Sequence, residues 1–444
     1  MGNDADRPGD ASQARYIDGV LSELDRWVWP ELKSDQSLFY YRSIRRVLAA
    51  FMAEAPAQPT VFEAPIEPFH DDVTKLSDRA LHAAAREEGE RLDAALARVD
   101  ARLAKVDAAE DGITITQEAL QACLRAIGYP QARIERMRVV TGGRSKQTIL
   151  FSAEGLAGLP RDLVMRRDIQ TGTLGTAVVD EYALLKALHA NGVNVPEPFV
   201  CVEDRSLIGT PFLLMRAVTG ATAGEAVIAP SDPAQVLAAA RALARIHHVP
   251  LSEVQALPIF ARAATSSDPL QEARSLYDVW RNQARGQSPI AEAAFRWLLA
   301  NAPHVSARRA LVHGDYNFHN LLYDGAELSA VLDWELSHLG HPAEDIGYIK
   351  QCAEQTVSWD AFMAAYREAG GFEVLERDIK VFALLTTLRL MTYILRSRAF
   401  FEAGNTDSIQ KAEVSVHFMP RLLQQLSIEL RDLMGGAAKE EGRP

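Results

Sequence analysis

The stretch 311–348, LVHGDYNFHNLLYDGAELSAVLDWELSHLGHPAEDIGY, constrains this chain more than any other. Asp324-Gly325 separates two apolar runs and marks a β-hairpin. With the turn centred between Ala326 and Glu327, Asn320 and Asp333 lie opposite each other at the open end of that hairpin. An amide oxygen and a carboxylate at one spot suit a hard cation such as Mg²⁺. Asp315 stands five residues before Asn320, on the loop entering the hairpin, and can face the same spot. A carboxylate beside a metal-bound phosphate suits orienting a hydroxyl and taking its proton. His313 and Gly314 complete the loop: glycine permits a tight turn, and the imidazole can tie it down by hydrogen bonds. Asn317 and Asp324 read as turn residues.

Composition narrows the class around this segment. The 444 residues amount to about three domain-sized units. Hydrophobic residues at 48% and charged ones at 24% give a globular balance, which argues against a mainly disordered chain. Cys123, Cys201 and Cys352 form no C-x-x-C pair, so neither a disulfide framework nor a cysteine zinc site is expected. A formal charge of −12 and a pI near 5.5 disfavour nucleic acid as a partner. No apolar run reaches the length of a membrane span, and the polar, acidic start MGNDADRPGDASQAR lacks a signal-peptide pattern. The expectation is a cytoplasmic protein with no membrane partner.

Along the chain, residues 1–14 are rich in Gly, Asp and Pro and read as a disordered tail. Residues 15–110 read as a helical accessory domain. Apolar stripes run through Tyr16–Val28, Phe39–Phe51, and Leu92, Leu96, Val99, Leu103 and Val106. They predict a small bundle core, or a docking and homo-oligomer surface. From 111 to 220 the texture is α+β: a helix over Gln117 to Ala126, three strand-like runs, a helix over Ala177 to Ala190, then PFVCVED and TPFLLMRAV. Residues 221–444 are mainly helical and carry the 311–348 segment.

H-G-D-x-x-x-x-N, followed thirteen residues later by Asp across a hairpin, matches the order and spacing of kinase catalytic and metal-binding segments. Over roughly residues 112–430 the chain resembles the aminoglycoside phosphotransferase-like branch of the protein-kinase-like fold. The wording of VLDWELSHLGHPAEDIGY is similar to the kinase-like domains fused to some acyl-CoA dehydrogenases. The resemblance implies a two-lobed α+β fold in which Asp315 is the catalytic base and Asn320 and Asp333 carry Mg²⁺. Asp345 resembles the family's later acidic brace; it equally fits a helix N-terminal charge. Gly142, Gly143 and Ser145 stand where a phosphate-covering loop belongs, and also suit a plain hairpin turn. In LVMRRD, Arg166 occupies the position of the kinase lysine, with Arg167 beside it, and Glu181 is the implied carboxylate partner. Met215 to Ala217 resemble the inter-lobe hinge that presents backbone groups to a purine. Trp334 and Tyr348 read as packing residues, and His247 and His248 as charge complements at a helix C-terminus.

These residues imply ATP- or GTP-dependent, Mg²⁺-dependent transfer of a phosphoryl group to a hydroxyl of a small molecule: a metabolite, a hydroxyacyl compound or an antibiotic. The alternative is a pseudokinase, a nucleotide-binding scaffold or regulator. Retention of Asp315, Asn320 and Asp333 argues for the enzyme.

Overall fold

The computed structural model describes residues 73–103, 115–140, 146–168, 177–224, 228–262, 268–283, 288–402, 418–431 and 433. The first two apolar stripes, Val106 and the 141–145 loop with Gly142, Gly143 and Ser145 lie outside the described residues, as do the side chains over 91–103. The chain forms two compact units. One comprises Met1–Ile113, Leu270–Pro303 and Thr387–Pro444; the other comprises Thr114–Pro269 and His304–Thr386.

In the first unit the helix Asp78–Leu103 lies against the helix Pro289–Asn301. Leu81, Ala84 and Ala85 recur at helical spacing and are buried, as are Ile290, Ala294 and Phe295. The buried Glu88 carboxylate accepts from the Ser288 hydroxyl at 3.0 Å and from the Ile290 N–H at 2.7 Å. A carboxylate at a helix N-terminus satisfies donors that the helix cannot pair itself.

The second unit contains the 311–348 segment. Helix α1 (Gln117–Ala126) is capped by Thr116, whose hydroxyl accepts from the Ala119 N–H at 3.2 Å. Strands β1 (Arg133–Val140), β2 (Lys146–Glu154), β3 (Asp162–Asp168), β4 (Pro198–Val202) and β5 (Phe212–Arg216) form an antiparallel sheet in the order β1-β2-β3-β5-β4. The strands and the inserted helix α2 (Val178–Ala190) fall where the apolar pattern placed them. One sheet face is apolar, with Ile149, Phe151, Leu163, Met165, Phe212 and Leu214 packed with Leu120 and Leu124 of α1. Because side chains alternate along a strand, Arg166 leaves β3 on the opposite face.

The second lobe begins with a short strand, β6 (Ala221–Thr222), and helix α3 (Pro233–His247), capped by Asp232 with Pro233 in its first turn. Strand β7 (Ala310–Val312) leads into the His313-Gly314-Asp315 loop. Strands β8 (Leu321–Asp324) and β9 (Glu327–Val331) make the expected hairpin, with β6 on its edge. Strand β10 (His338–Gly340) pairs back onto β7; helices α4 (Ala343–Ala353) and α5 (Trp359–Glu368) follow, with α5 against α3.

The hairpin register differs from expectation. Asp324 pairs with Glu327, so the turn is Gly325-Ala326, and positive φ falls on Gly325 alone, as in a type II′ turn. A register shift at Leu322/Tyr323 then sets Leu321 opposite Val331, and the Asn320 carbonyl accepts from the Leu332 N–H at 2.8 Å. Asp333 therefore sits one residue beyond the position opposite Asn320.

The β10–α4 connection buries His341 against the Phe382 ring, centroids 4.8 Å apart. Its Nδ1 accepts from the Ala343 N–H, and Nε2 stands 3.1 Å from the Ser306 hydroxyl. Burial pushes this imidazole down to about 4 from an ordinary value near 6.5. The unfolded chain therefore binds a proton that the folded chain refuses. The stability this contributes is present above pH 6.5 and disappears as pH falls to about 4, a loss of about 3 kcal/mol. Urea midpoints measured across that window should fall steeply for the wild type and less steeply for His341→Asn.

Candidate active site

The loop after β7 is held from below by one carboxylate. Asp345, in the first turn of α4, accepts from the His313 N–H at 2.8 Å and the Gly314 N–H at 2.9 Å. It also meets His247 Nε2 at 3.2 Å, and His247 Nδ1 lies 2.8 Å from the Tyr366 hydroxyl on α5. Gly314 has φ +83°, and a Cβ there would stand 2.4 Å from the Leu336 carbonyl oxygen, so no other residue fits without a shift of the backbone. The buried His313 ring is doubly engaged. Its Nδ1 accepts from the Asp315 N–H at 3.2 Å, which leaves Nε2 protonated to donate to the Leu332 carbonyl at 2.9 Å. Tyr316 anchors the loop to α3 through a 2.8 Å bond from its hydroxyl to the Ala239 carbonyl.

Asp315 and Asn320 come together. The Asn320 amide nitrogen donates to the Asp315 carboxylate at 2.9 Å and to its carbonyl at 3.0 Å. With the nitrogen committed, the amide oxygen is the end left for a ligand. His319 Nε2 lies 3.3 Å from the same carboxylate, and the Tyr348 hydroxyl hydrogen-bonds it as well. Burial pushes the Asp315 carboxyl up, but His319, His313 and Tyr348 outweigh it and hold the group below its ordinary range. It is ionised at neutral pH, ready to accept a hydrogen bond from a hydroxyl.

Asp333 has φ 62°, the left-handed region, and among the described residues no other non-glycine residue has positive φ. Such a conformation persists where surrounding structure imposes it, and it concentrates at functional sites. The carboxylate accepts from Arg166 Nη2 at 2.6 Å, while Arg166 Nε stands 3.1 Å from Glu181 without the alignment of a hydrogen bond. Burial opposes the Arg166 charge, yet Glu181, Asp333 and Glu335 overcome that penalty and raise its pKa. Two residues beyond Asp333, Glu335 meets Lys146 of β2 at 3.2 Å. Asp333 and the Asn320 amide oxygen are hard donors, the type that suits Mg²⁺. Among the described residues no group of three or more His, Cys, Asp or Glu side chains makes a metal cage, so a cation here would complete its shell with water and substrate oxygens.

Several readings change at this level. Arg166 and Arg167 part company by strand alternation: Arg167 turns to Gln147 at 2.7 Å and the Ile208 carbonyl, away from Asp333. His247, expected as a charge complement at the helix C-terminus, is instead buried between Asp345 and Tyr366; His248 does sit at the helix end, 3.3 Å from the Ala244 carbonyl. Tyr348 touches Asp315 and is more than packing, whereas Trp334 is fully buried against His313. Met215 lies inside the sheet between Val164 and Pro198, and the N–H groups of Arg216 and Ala217 bond the Glu197 and Asp162 carbonyls. Two donors of the expected hinge are thus already engaged within the protein. Lys146 and Glu335 carried no pairing signal, because their contact depends on which strand and turn meet in space, whereas His319 stands in the motif loop itself, four residues past Asp315.

Comparison with known proteins fits this geometry. Residues 136–379 match the APH model, described as the phosphotransferase enzyme family. Chicken acyl-CoA dehydrogenase family member 11 is 31% identical over 237 residues, covering 50% of this chain and 29% of that protein. Mouse acyl-CoA dehydrogenase family member 10 is 34% identical over 197 residues, covering 42% of this chain and 18% of that protein. The chain thus spans less than a third of these relatives' length. Among solved structures, the GDP complex of aminoglycoside 2'-phosphotransferase-IIIa aligns with TM-score 0.53 at 18% identity, over 71% of this chain and 99% of that one. Spectinomycin phosphotransferase with ADP and spectinomycin gives TM-score 0.53 at 12% identity, over 71% of this chain and 100% of that one. Fold, loop geometry and family match agree: over more than half its length this chain is a member of the phosphotransferase enzyme family, with the two-lobed kinase-like fold.

Proposed function

We propose that this chain transfers the γ-phosphoryl group of ATP or GTP to a hydroxyl of a small molecule. The observation that carries the reading is the bond tying Asn320 to Asp315, with Asp333 one residue past the Asn320 partner on the same hairpin. It sets an ionised carboxylate beside two hard oxygen donors. Asp315 accepts a hydrogen bond from the acceptor hydroxyl and aligns that oxygen with the γ-phosphorus. As the new P–O bond forms and the bond to the nucleoside diphosphate breaks, the hydroxyl proton passes to Asp315. A carboxylate of low pKa suits this late transfer, because a loose phosphoryl transition state asks little of its base. Asn320 and Asp333 would hold Mg²⁺, which supplies neutralisation of phosphate charge.

Kinship with proteins named as acyl-CoA dehydrogenase family members favours a hydroxyacyl compound or related metabolite as acceptor over an antibiotic.

Asp315→Asn should lower turnover by about 10²–10⁴-fold while nucleotide binding persists, since the base acts on the acceptor. Turnover within tenfold of wild type would remove Asp315 from that role. In calorimetric titrations, Asp333→Ala should abolish the Mg²⁺ dependence of nucleotide affinity. Asn320→Ala should reduce it less, because a neutral amide oxygen brings less charge to the cation. An Asp333→Ala protein with wild-type metal dependence would exclude the hairpin as the metal site.

A further inference from the structure

The cluster around Asp333 contains a second buried cation. Lys146 opens β2, and its ammonium lies 3.2 Å from a Glu335 carboxylate oxygen. The register sets Lys146 opposite Asp168 and Thr148 opposite Arg166, so Lys146 and Arg166 leave the sheet on the same face. Side-chain exposure rises from 2% at Lys146 through 12% at Arg166 to 33% at Asp333, so the cluster opens toward solvent on the Asp333 side.

Stability does not explain the pair. Desolvation of two buried ions offsets their attraction, and an apolar pair of similar volume would serve the fold as well. The pair lies two residues from Asp333, beside the proposed phosphotransfer site, where its charge can serve a substrate. Arg166 is already engaged by protein carboxylates, hydrogen-bonded to Asp333 and 3.1 Å from Glu181. A guanidinium is a rigid fork whose direction is fixed by such partners. Lys146 differs: a compact ammonium on a flexible stem can exchange one contact for another, so a phosphate oxygen can come to it while Glu335 stays in reach. Charge balance points the same way. Lys146 and Arg166 against Glu181, Asp333 and Glu335 leave one net negative charge, and loss of Lys146 would make it two. A polyphosphate would then meet stronger repulsion.

We propose that Lys146 is a phosphate-binding residue, held at the nucleotide site by Glu335, while Arg166 is the positioning residue that fixes Asp333. The proposal rests on the phosphotransfer reading above.

The test uses the whole chain, with ATP and GTP against adenosine and guanosine as calorimetric probes. The ratio of nucleotide to nucleoside affinity isolates what the phosphates contribute. Lys146→Met should lower triphosphate affinity at least tenfold, with nucleoside affinity unchanged, and Lys146→Arg should restore most of it. Because Lys146→Met strands a buried carboxylate, the double variant Lys146→Met/Glu335→Gln removes both charges together, and the same selective loss is expected in a protein that melts near wild type. If either variant, folded by circular dichroism, keeps the wild-type ratio, the pair is structural and the proposal is overturned while the phosphotransfer reading stands. Wild-type protein that binds neither triphosphate would overturn both.

Discussion

One buried carboxylate organises the catalytic loop. Without Asp345 the His313 and Gly314 N–H groups would be buried donors with no partner, a cost that backbone groups in proteins rarely bear. The consequence travels by direct contact. Asp345 fixes the His313 backbone, and the His313 ring then bonds the Asp315 N–H on one side and the Leu332 carbonyl, next to Asp333, on the other. A single anchor thus sets the separation of the proposed base and the proposed metal ligand. Its own position is secured by His247 and, beyond it, Tyr366, so helices α3, α4 and α5 all support the loop.

Above that anchor the site is electrostatic. Cations on the five-stranded sheet face carboxylates on the hairpin side, Arg166 to Asp333 and Lys146 to Glu335. These contacts tie the sheet lobe to the catalytic lobe through charge, and they hold Asp333 in a left-handed backbone that it would not choose alone. Asp315 belongs to a different environment, set by an imidazole, a phenol and an amide. The two carboxylates therefore differ both in partner and in proposed role. In the proposed reaction Asp315 keeps its charge for an acceptor hydroxyl, whereas Asp333 shares its charge with Arg166.

Much of this was readable in the amino-acid sequence wherever local rules suffice. The five strands and α1 followed from alternation and periodicity, and Asp315, Asn320 and Asp333 stood out through spacing on one loop and hairpin. The expected register fails because the turn closes over Gly325-Ala326, one residue before the assumed centre, and the irregularity at Leu322/Tyr323, which no sequence signature announces, makes up only part of that shift. His247 looked like a helix-end charge because only tertiary packing brings Asp345 and Tyr366 to it, from 98 and 119 residues away. Lys146 and Glu335 are 189 residues apart, and although Glu335 lies within the 311–348 segment, nothing in that segment names its partner. The pairing of Asp78–Leu103 with Pro289–Asn301 is likewise invisible in chain order.

Following phosphorus itself gives the most direct test of the phosphotransfer proposal. The whole chain is incubated with ATP or GTP, Mg²⁺ and a panel of hydroxylated acceptors that includes hydroxyacyl thioesters and aminoglycosides, and ³¹P NMR tracks the γ-phosphate. A phosphomonoester signal that grows with one acceptor, in step with nucleoside diphosphate and absent with Asp315→Asn, is the expected outcome. Acceptor-dependent phosphomonoester formed equally well by Asp315→Asn, or release of inorganic phosphate alone across the whole panel, would contradict it.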